Sequence, residues 1–561
     1  MKLKGKLKHF FVLLSLCFSS VTFSSVPVEK GEEKMVRNPK VLILGAGMAG
    51  VSAAKTLWDA GIRDFLVLEA SGRVGGRVLK GTMIDREGLE TGSVVELGAN
   101  WVHGTHVDGK PKNPIWHMVA CSELNSYNTM NALDDKKYIV LDENGDVKTS
   151  EPDQKSFTDM VEKCDKLEEE KKKEETTDMS KRKMLTECGW NPVTQAQKAI
   201  EYYVYDFDAA VAPEYISCGI KLKSDESEEK IDSEGDYQAL VNDKRGYATI
   251  IEDMAKPFLE KIRHHKVKKI IKKEGDTKIT VIVEGGQEFT GEHVLVTFSI
   301  GVLQKSMDTM FSPRLSNLPV GEALNQMEMA NYLKIFMKFK QKFWHKKDYM
   351  FYAPEDDTQR RKFPVWQNLP GKKDKHDNEW DNAQIPDNEN VILVTVTGPE
   401  AWALTATEKE PGVVKADIEK SLFGIFQKVF KSNLANLDTV PEELHVATHF
   451  KNWGDDELFL GAYSNPKVGT TTAHFNDMRN PVKEYLNRLY FAGEGTSEFY
   501  YGFLHGAYYT GKKQAEKIIK TSIKAQEAQN SLARGNMETG WKNVLQRNLG
   551  TTRNGTIWTT Y

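Results

Sequence analysis

The feature that most constrains the fold of this chain is a glycine-rich turn between an apolar strand and a helix. The turn reads GAGMAG at residues 45–50 and directly follows a predicted strand at residues 41–44. A helix is predicted over residues 49–60 and a second strand over residues 65–68. The spacing GxGxxG inside such a β-α-β unit is typical of dinucleotide sites, so the sequence predicts a Rossmann-like domain.

Individual residues of this unit explain the preference for a dinucleotide. Gly45 permits the tight turn, Gly47 lets a pyrophosphate approach the backbone, and Gly50 lets helix and strand pack closely. The positive dipole end of the helix then faces the phosphates. Glu69 ends the second strand, where a carboxylate accepts hydrogen bonds from a ribose diol. An acidic residue at this position disfavours a 2′-phosphate, and therefore NADP.

Three further blocks extend the same predicted site. RVGGR at residues 73–77 places two glycines beside an arginine, which can reach the pyrophosphate from the other side. ELGANWVHG follows at residues 96–104, and YFAGEG lies far downstream at residues 490–495. A strand that ends in Ala-Gly-Glu can close the cofactor site from the opposite end of the chain. Together these blocks favour FAD over NAD.

Composition limits the remaining function classes. The 561 residues exceed a single core and suggest two to four units. The net charge is −4, and without a basic excess no nucleic-acid surface is indicated. Since no apolar run reaches about 18 residues, no stable membrane insertion is expected. The chain has no CxxC spacing, which disfavours zinc, and no metal site is expected.

The first 25 residues have the layout of a secretory signal peptide. Four lysines precede a short apolar stretch at residues 9–18, and small residues follow up to Ser25. We therefore expect cleavage near Ser25 and a secreted, extracellular protein. Loss of these four lysines, with no acidic residue, would change the net charge from −4 to −8. A mildly acidic surface suits a cationic small substrate.

Four cysteines would remain after this cleavage: Cys121, Cys164, Cys188 and Cys218. An even number in a secreted chain permits two disulfides with three possible pairings, and four buried free thiols are an equal alternative. The first pairing that we expect joins Cys164 to Cys188, which flank a predicted helical region. The charge-rich stretch at residues 156–184 is expected to be a solvated helix.

Several other elements are predicted from local patterns. Runs rich in β-branched residues indicate buried strands at residues 293–299 and 391–397. Apolar residues at helical spacing predict an amphipathic helix over residues 413–430. The polar stretch at residues 223–236 is expected to be an exposed loop, and the chain from residue 524 onward a loosely held tail.

Five segments resemble, in order and spacing, the flavin-containing amine oxidases, and most closely the polyamine oxidases: VLILGAGMAGVSAAKTL, VLEASGRVGGRV, ELGANWVHG, YLKIFMKF and YFAGEGTSEFYYGFLHGAYYTGKKQAE. The resemblance extends from about Val41 to Ile519. It implies an α/β fold in which a Rossmann-like FAD-binding domain is interleaved with an α+β substrate-binding domain. The implied ranges are 38–125, 240–330 and 445–522 for the first domain, 126–239 and 331–444 for the second, and 523–561 for a polar tail.

The resemblance also implies which residues contact FAD. The glycine-rich turn would hold the pyrophosphate, Glu69 the ribose and Arg77 a phosphate, while Trp453 would pack against the flavin ring. The full set of expected contacts is Gly45, Gly47, Met48, Ala49, Gly50, Glu69, Ala70, Arg77, Gly98, Ala99, Asn100, Trp101, Val267, Trp453, Glu494, Gly502, Phe503 and Leu504. Some relatives tether the flavin through a cysteine in a loop that here reads LGAYS, so non-covalent FAD is expected.

Lys334 and His103 are the candidate catalytic residues. Lys334 matches the family lysine that holds a water beneath flavin N5. Strand periodicity alone places Lys334 on one face with Phe336 and Lys338 and predicts exposure to solvent, whereas the resemblance implies burial. A buried lysine could titrate nearer neutrality and orient water for imine hydrolysis or flavin reoxidation.

The substrate amine must be uncharged, because a hydride cannot leave the carbon beside an ammonium. By the resemblance, Tyr463 and Phe503 form two aromatic walls, with Trp101 beside them. Asp208 would lie near the tunnel, where acids or aromatic faces hold the other, cationic amines. His103 would contact a substrate nitrogen; it stands where some extracellular plant relatives carry Glu, which leaves the cleaved bond open. Core packing for the aromatics, a surface position for Asp208 and a structural role for His103 remain alternatives.

The expected activity is that of an FAD-dependent polyamine oxidase acting on spermine, spermidine or acetylated polyamines. Oxygen would be the acceptor, and an aldehyde, an amine and hydrogen peroxide the products. An L-amino-acid oxidase is an alternative, but it needs an arginine for the carboxylate that the residues after Gly98 do not offer. A flavin-binding protein without activity is a second alternative, which the retained Lys334 and Trp453 disfavour.

Overall fold

Two large β-sheets organise the molecule. The structure is a computed structural model that describes residues 38–105, 113–129, 137–148, 151–174, 176–220, 222, 238–371, 383–406 and 411–533. One sheet has five parallel strands and the other has six strands of mixed direction. The predicted signal peptide at residues 1–25 and the predicted loop at residues 223–236 lie outside the described residues.

The parallel sheet contains the predicted dinucleotide unit. Its strands, in order across the sheet, are Leu489–Phe491, His293–Val296, Val41–Leu44, Phe65–Glu69 and Ile262–His264. Strands that are buried on both faces need apolar side chains throughout, which explains the continuous apolar runs. The predicted strands at residues 41–44 and 65–68 are confirmed. The strand predicted over residues 293–299 ends earlier, because the Ser299 hydroxyl caps the following helix.

The helix Met48–Asp59 follows the glycine-rich turn and packs against the long helix Leu504–Ala533. The two backbones approach closely, since a Cβ atom on Gly511 would lie 2.1 Å from the Ala49 carbonyl oxygen. The long helix also extends into the predicted tail at residues 523–561. The Lys, Ala, Gln and Glu residues after residue 523 favour this helix, and the loosely held tail stays a prediction.

The six-stranded sheet forms the second core. Its strands, in order, are His445–Phe450, Tyr332–Phe339, Val391–Thr397, Val365–Asn368, Tyr349–Tyr352 and Tyr138–Leu141. The strand predicted over residues 391–397 and the helix predicted over residues 413–430, here Pro411–Val429, are confirmed. The boundary predicted between residues 444 and 445 places the first strand in the FAD-binding domain, yet this strand pairs with Tyr332–Phe339. The domain division otherwise stays a prediction.

Four smaller sheets connect these two layers. The first contains Glu288–Gly291, Ile279–Val283, Val267–Ile271 and Phe311–Ser312, and the second contains Trp101–Val102, Gln238–Val241 and Ser126–Thr129. The third pairs Lys80–Ile84 with Glu90–Glu96, and the fourth pairs Met327–Ala330 with Tyr463–Pro466. The third of these sheets leads directly into the segment ELGAN at residues 96–100. The fourth carries the predicted aromatic wall residue Tyr463.

The remaining α-helices are short, apart from one of 23 residues. They are Pro114–Cys121, Glu151–Lys173, Lys181–Glu187, Gln195–Glu201, Thr249–Ala255, Ile300–Ser306, Pro319–Asn325, Gly398–Leu404, Lys431–Asn436, Pro441–Leu444 and Thr472–Arg479. A π-helical turn, Tyr202–Phe207, continues one of them. None of the described helices has both the length and the apolar character that a membrane span requires.

A disulfide joins two of these helical segments. Cys164 in the helix Glu151–Lys173 is bonded to Cys188, which confirms the expected pairing. Cys121 is an exposed free thiol and Cys218 a buried one. The disulfide lies in an apolar cluster, so the charge-rich helix turns one face inward and exposes the other.

Candidate active site

The glycine-rich turn is held by backbone contacts that leave no room for side chains. Gly45 has a φ of +111°, and its N–H donates to the Leu68 carbonyl at 2.8 Å. A Cβ atom on Gly50 would lie 1.9 Å from the Gly45 carbonyl oxygen. The turn is thus fixed against the end of the second strand, as the roles predicted for these glycines require.

A second glycine pair faces the turn. The Gly75 N–H donates to the Ala46 carbonyl at 2.9 Å, and a Cβ atom on Gly76 would lie 3.2 Å from the Gly47 Cα. Gly47 is the N-cap of the helix Met48–Asp59, and no side chain caps this end. Bare backbone on both sides of an uncapped helix N-terminus is a suitable place for a diphosphate.

Glu69 lies at the end of the second strand, beside this turn. One carboxylate oxygen accepts from the Ala46 N–H at 2.6 Å. The other oxygen accepts from the Ser71 N–H at 2.7 Å and from the Ser71 hydroxyl at 2.6 Å. The carboxylate is therefore held at the position where a ribose diol would meet the turn.

The segment that contains Val267 runs beside Glu69 and Ala70. The His265 N–H donates to the Glu69 carbonyl at 2.9 Å, and His264 Nε2 donates to the Ala70 carbonyl at 2.7 Å. Val267 itself is buried at the start of the following strand. The structure therefore brings the residues predicted for the adenosine end close to one another.

Glu494 connects segments that are distant in the sequence. Its Oε1 accepts from Arg77 Nη1 at 2.8 Å, and its Oε2 accepts from the Ser464 hydroxyl at 2.7 Å and the Gly502 N–H at 2.8 Å. Arg77 also donates to the Ala462 carbonyl at 3.0 Å. Arg77, which was expected at a phosphate, is thus bound to Glu494 in this structure. The network joins both ends of the predicted cofactor site.

Lys334 lies in the interior, against the segment at residues 96–100. Its Nζ donates to the Gly98 carbonyl at 2.6 Å and to Asn100 Oδ1 at 2.7 Å, with a longer contact of 3.4 Å to the Glu96 carbonyl. Burial lowers the pKa of Lys334 to about 7, an effect that the charge of Glu96 opposes. The amine can therefore gain or lose a proton near neutral pH.

The exposure predicted from strand periodicity is wrong for Lys334, and the burial implied by the resemblance is confirmed. Lys334, Phe336 and Lys338 share one face and are all buried. Their strand lies between two others, and the strand Glu90–Glu96 with its continuation covers this face, because Lys338 Nζ donates to the Ser93 hydroxyl at 2.9 Å. The alternation of lysine with apolar residues therefore does not indicate solvent here.

Trp453 contacts the same segment, residues 96–100, that Lys334 contacts. Its indole N–H donates to the Leu97 carbonyl at 2.9 Å, and its ring is buried. A Cβ atom on Gly98 would lie 3.2 Å from this ring and 1.8 Å from the Arg77 carbonyl oxygen. A side chain at this position is therefore excluded, and the backbone of residues 97 and 98 passes directly between Lys334 and the tryptophan.

His103 and Phe503 form one aromatic group. Their rings meet edge to face with centroids 4.9 Å apart, and Phe503 stacks on His505 at 5.1 Å. Asn113 connects the two histidines, since its Nδ2 donates to the His103 carbonyl at 2.6 Å and lies 3.4 Å from His505 Nδ1. Burial lowers the pKa of His103 to about 4, so the imidazole is uncharged at neutral pH.

Tyr463 belongs to a second aromatic group. Its ring centroid lies 6.0 Å from that of Tyr332, which in turn lies 5.5 Å from that of Phe207. The Tyr463 hydroxyl donates to the backbone carbonyl of Asp208 at 2.6 Å, whereas the Asp208 side chain is exposed. Asp208 follows the π-helical turn Tyr202–Phe207, and such turns occur frequently at functional sites.

The predicted residues therefore form two sets. The glycines, Glu69, Ala70 and Val267 form one set around the turn, and Lys334, Asn100, Gly98 and Trp453 form the other. Ala99 and Leu504 pack against the apolar core that contains Ala46, Met48 and Ala49, and Trp101 lies in a short strand paired with Leu240.

Sequence reasoning missed five residues that hold these sets in place: Arg73, Glu96, Asn113, Ser464 and His505. Arg73 donates to the carbonyls of Gly76 and Val78 and so fixes the second glycine pair. Glu96 and Ser464 stand in motifs that the sequence analysis quoted, but only the structure shows that their side chains are buried. Asn113 had no signal beyond its position before a proline at a helix start.

A family model described as flavin containing amine oxidoreductase matches residues 48–519. The chain belongs to this family. Its members use FAD, and the protein is an FAD-dependent amine oxidase with the amine oxidase fold. The residues present suit the cofactor, because the glycine pairs leave bare backbone for the diphosphate and Glu69 is held beside it.

Two plant proteins are similar to the chain over most of their own lengths. Polyamine oxidase 1 of Zea mays is 33% identical over 510 residues, which cover 87% of this chain and 91% of that protein. Polyamine oxidase 6 of Oryza sativa subsp. japonica is 30% identical over 506 residues, with coverages of 87% and 92%.

A solved structure of wild-type putrescine oxidase bound to putrescine shares the fold. The TM-score is 0.62 at 17% sequence identity, and the alignment covers 86% of this chain and 99% of that chain. At this identity the comparison establishes the fold alone. It agrees with the mixed architecture of one parallel sheet and one larger sheet.

Proposed function

We propose that this protein is a secreted polyamine oxidase. The observation that carries the proposal is the buried amine of Lys334, held by the Gly98 carbonyl and Asn100 Oδ1 in the segment that Trp453 also contacts. The similarity to plant proteins named polyamine oxidase supports a polyamine as the substrate. The signal-peptide pattern at residues 1–25 supports secretion.

The overall reaction consumes one amine, one oxygen and one water. A secondary amine R–CH2–NH–R′ reacts with O2 and H2O to give R–CHO, R′–NH2 and H2O2. FAD, bound without a covalent link, would supply the acceptor for the hydride, which carries both electrons. In its uncharged form, Lys334 offers a lone pair to the water that hydrolyses the imine. Asn100 and Gly98 fix the amine in place for this task.

The aromatic residues select the uncharged form of the reacting amine. Phe503 and Tyr463 provide apolar surfaces, and desolvation there disfavours an ammonium. His103 is uncharged at neutral pH because burial lowers its pKa to about 4. Its imidazole can therefore donate a hydrogen bond to a neutral nitrogen or accept one from it. The distal amines of a polyamine remain cationic and are suited to the ring of Tyr332 and to Asp208.

The test is the visible spectrum of the purified protein without oxygen, before and after addition of spermine, spermidine, N-acetylated polyamines or leucine. The proposal expects a flavin band that bleaches with at least one polyamine and not with leucine. Identification of the products by mass spectrometry then locates the cleaved bond. Admission of oxygen should restore the band and release one equivalent of hydrogen peroxide.

Two results would contradict the proposal. Bleaching by leucine alone would assign the protein to the amino-acid oxidases. A flavin band that none of the polyamines bleaches would show that the substrate is a different amine. Secretion is tested separately, by expressing the full chain in a secreting eukaryotic cell and sequencing the amino terminus of the protein in the medium. Retention inside the cell would contradict that part.

A further inference from the structure

Glu96 carries a buried carboxyl group that the proposed mechanism does not use. It ends the strand Glu90–Glu96, and only 7% of the residue is exposed. Its Oε1 accepts from the Tyr247 backbone N–H at 2.7 Å. Its Oε2 is buried and has no hydrogen-bond partner among the residues that the structure describes. A buried carboxylate with one unsatisfied oxygen needs a charge of opposite sign nearby.

Lys334 is a cation that lies beside Glu96, since its Nζ is 3.4 Å from the Glu96 backbone oxygen. Three oxygens surround its Nζ, namely those of Gly98, Asn100 and the Glu96 backbone, and all three are uncharged. Three acceptors match the three N–H bonds of an ammonium. The contacts therefore fix the position of the amine without supplying an anion, and the charge of Glu96 favours the ammonium form of Lys334.

We propose that Glu96 is a positioning residue that sets the protonation state of Lys334. The proposal rests on the role given to Lys334 under the proposed function. An ionised Glu96 favours the ammonium form of Lys334. When the carboxyl group takes up the proton, Lys334 is a neutral amine with a free lone pair. With one proton on the pair, Glu96 and Lys334 are either both charged or both neutral, and the net charge of the buried pair is zero in each state.

The pKa values of the two groups support this exchange. Burial raises the pKa of Glu96 to about 7, while the Tyr247 N–H and the charges of Lys334 and Lys80 lower it. Burial lowers the pKa of Lys334 to about 7. Asp243 raises the pKa of Glu96 only weakly. The Tyr247 hydroxyl does not titrate in this range, because burial holds its pKa well above the usual value.

The charged neighbours of Glu96 other than Lys334 are held by partners of their own. Lys80 lies directly opposite Glu96 in the strand pair, but its Nζ donates to the Lys244 carbonyl at 2.9 Å. Asp243 is bound to Arg245 at 2.8 Å. Lys334, like Lys80, contacts only uncharged oxygens, and the charge of Glu96 raises the pKa of Lys334 against the effect of its burial.

The test is a double-mutant cycle on thermal stability, measured from pH 5 to pH 9. Glu96→Gln keeps an acceptor for the Tyr247 N–H and removes the charge, and Lys334→Met removes the amine. We expect a coupling between the two substitutions that is largest near pH 7, where both groups are charged in part. It should vanish near pH 5, where Glu96 is protonated, and near pH 9, where Lys334 is neutral.

A matched control uses Asp206→Asn in place of Glu96→Gln. Asp206 is also buried, and burial raises its pKa to about 7, but its ion-pair partner is Arg361 at 3.1 Å. Its effect should add to that of Lys334→Met at every pH. Additive effects of the Glu96 and Lys334 substitutions at every pH would overturn the proposal. If Glu96→Gln does not fold, Glu96→Asp should give a smaller coupling with its maximum at the same pH, and absence of that maximum would also overturn it.

A kinetic measurement completes the test. In Glu96→Gln the Lys334 amine loses the negative charge that raises its pKa. The acid limb of the plot of kcat against pH, which reports deprotonation of Lys334, should therefore move to lower pH. A limb at the wild-type position would contradict the proposal. If the wild-type protein oxidises none of the polyamines, the proposed function fails, but the stability cycle still tests the link between Glu96 and Lys334.

Discussion

At the scale of single residues, two buried lysines on one strand differ in whether an anion contacts their ammonium group. Lys334 and Lys338 share a face and are both buried. Lys338 Nζ lies 3.2 Å from a carboxylate oxygen of Asp387, an anion in direct contact that stabilises the ammonium. Lys334 touches only uncharged oxygens, of Gly98, Asn100 and Glu96. Equal burial thus leaves one lysine as an ion-pair partner and the other able to titrate.

Lys334→Met should lower kcat by about 10²-fold, because the water loses its positioned partner. The flavin should remain bound, since the contacts around the glycine-rich turn are untouched. Stopped-flow reduction and steady-state peroxide release measure the effect, and the absorbance ratio of flavin to protein reports occupancy. Lys338→Met is the matched control, for which we expect lower thermal stability and a kcat near that of the wild type. Equal kcat values in both variants would remove Lys334 from the mechanism.

Glu69→Ala should weaken FAD binding about tenfold or more, since hydrogen bonds to a charged group contribute about 1.5–3 kcal/mol. The carboxylate also holds the Ala46 N–H, so the turn itself loses a contact. Flavin retention after gel filtration and titration of the apoprotein with FAD measure the change. Glu87→Ala, which removes an exposed carboxylate, should retain full occupancy. Full occupancy of Glu69→Ala would contradict the ribose assignment.

At the scale of elements, the site depends on backbones that touch without side chains between them. The turn at residues 45–50 contacts the second strand, and the helix Met48–Asp59 contacts the long helix Leu504–Ala533. Each contact occurs at a glycine: a Cβ on Gly45 would overlap the Thr297 hydroxyl oxygen, and a Cβ on Gly511 the Ala49 carbonyl oxygen. The glycines therefore fix distances between elements in addition to allowing unusual torsion angles.

Gly50→Ala should destabilise the protein by about 1–3 kcal/mol, the usual cost of overpacking. Its Cβ would lie 1.9 Å from the Gly45 carbonyl, so the turn must shift and FAD occupancy should fall. Gly424→Ala is a control in the helix Pro411–Val429, where a Cβ meets nothing within 4 Å. That change should raise stability by up to about 1 kcal/mol, because Ala favours a helix. Differential scanning calorimetry compares the two, and equal midpoints would refute the close contact.

The sequence predicted elements best where local chemistry determined them. The first strand, the fingerprint turn and Glu69 follow from spacing alone, because a β-α-β unit is a local structure. The burial of Lys334 does not, since it depends on the segment at residues 96–100 lying over its strand. The pairing of Arg77 with Glu494 is also nonlocal, and no sequence signal distinguishes that partner from a phosphate.

At the scale of the whole molecule, buried histidines control the response to acid. Burial lowers the pKa to about 4 for four of them, His103, His293, His445 and His449, and to about 3 for His505. Two buried carboxyl groups behave in the opposite way, with pKa values raised to about 7: Glu96 and Asp206. The histidines outnumber these carboxyl groups, so their effect determines the direction of the response.

Thermal stability should fall as the pH decreases from about 6.5 to about 4. In this window the unfolded chain binds protons on histidines that the folded protein keeps neutral, so acid favours unfolding. Glu96 and Asp206 contribute stability below pH 4.5 that is lost as the pH rises to about 7, and they reduce the slope without reversing it. Calorimetric midpoints at pH 7, 6, 5 and 4.5 measure the trend. A midpoint that rises over this range would contradict it.

The bond between Arg77 and Glu494 has a consequence for synthesis on the ribosome. The first strand and its turn leave the exit tunnel early, but Glu494, Gly502 and the long helix against Met48–Asp59 are translated more than four hundred residues later. Until then Arg77 has no Glu494 to bind, and the parallel sheet lacks its edge strand, Leu489–Phe491. Nascent chains halted before this strand should therefore depend on chaperones, and flavin capture should be among the last events of folding.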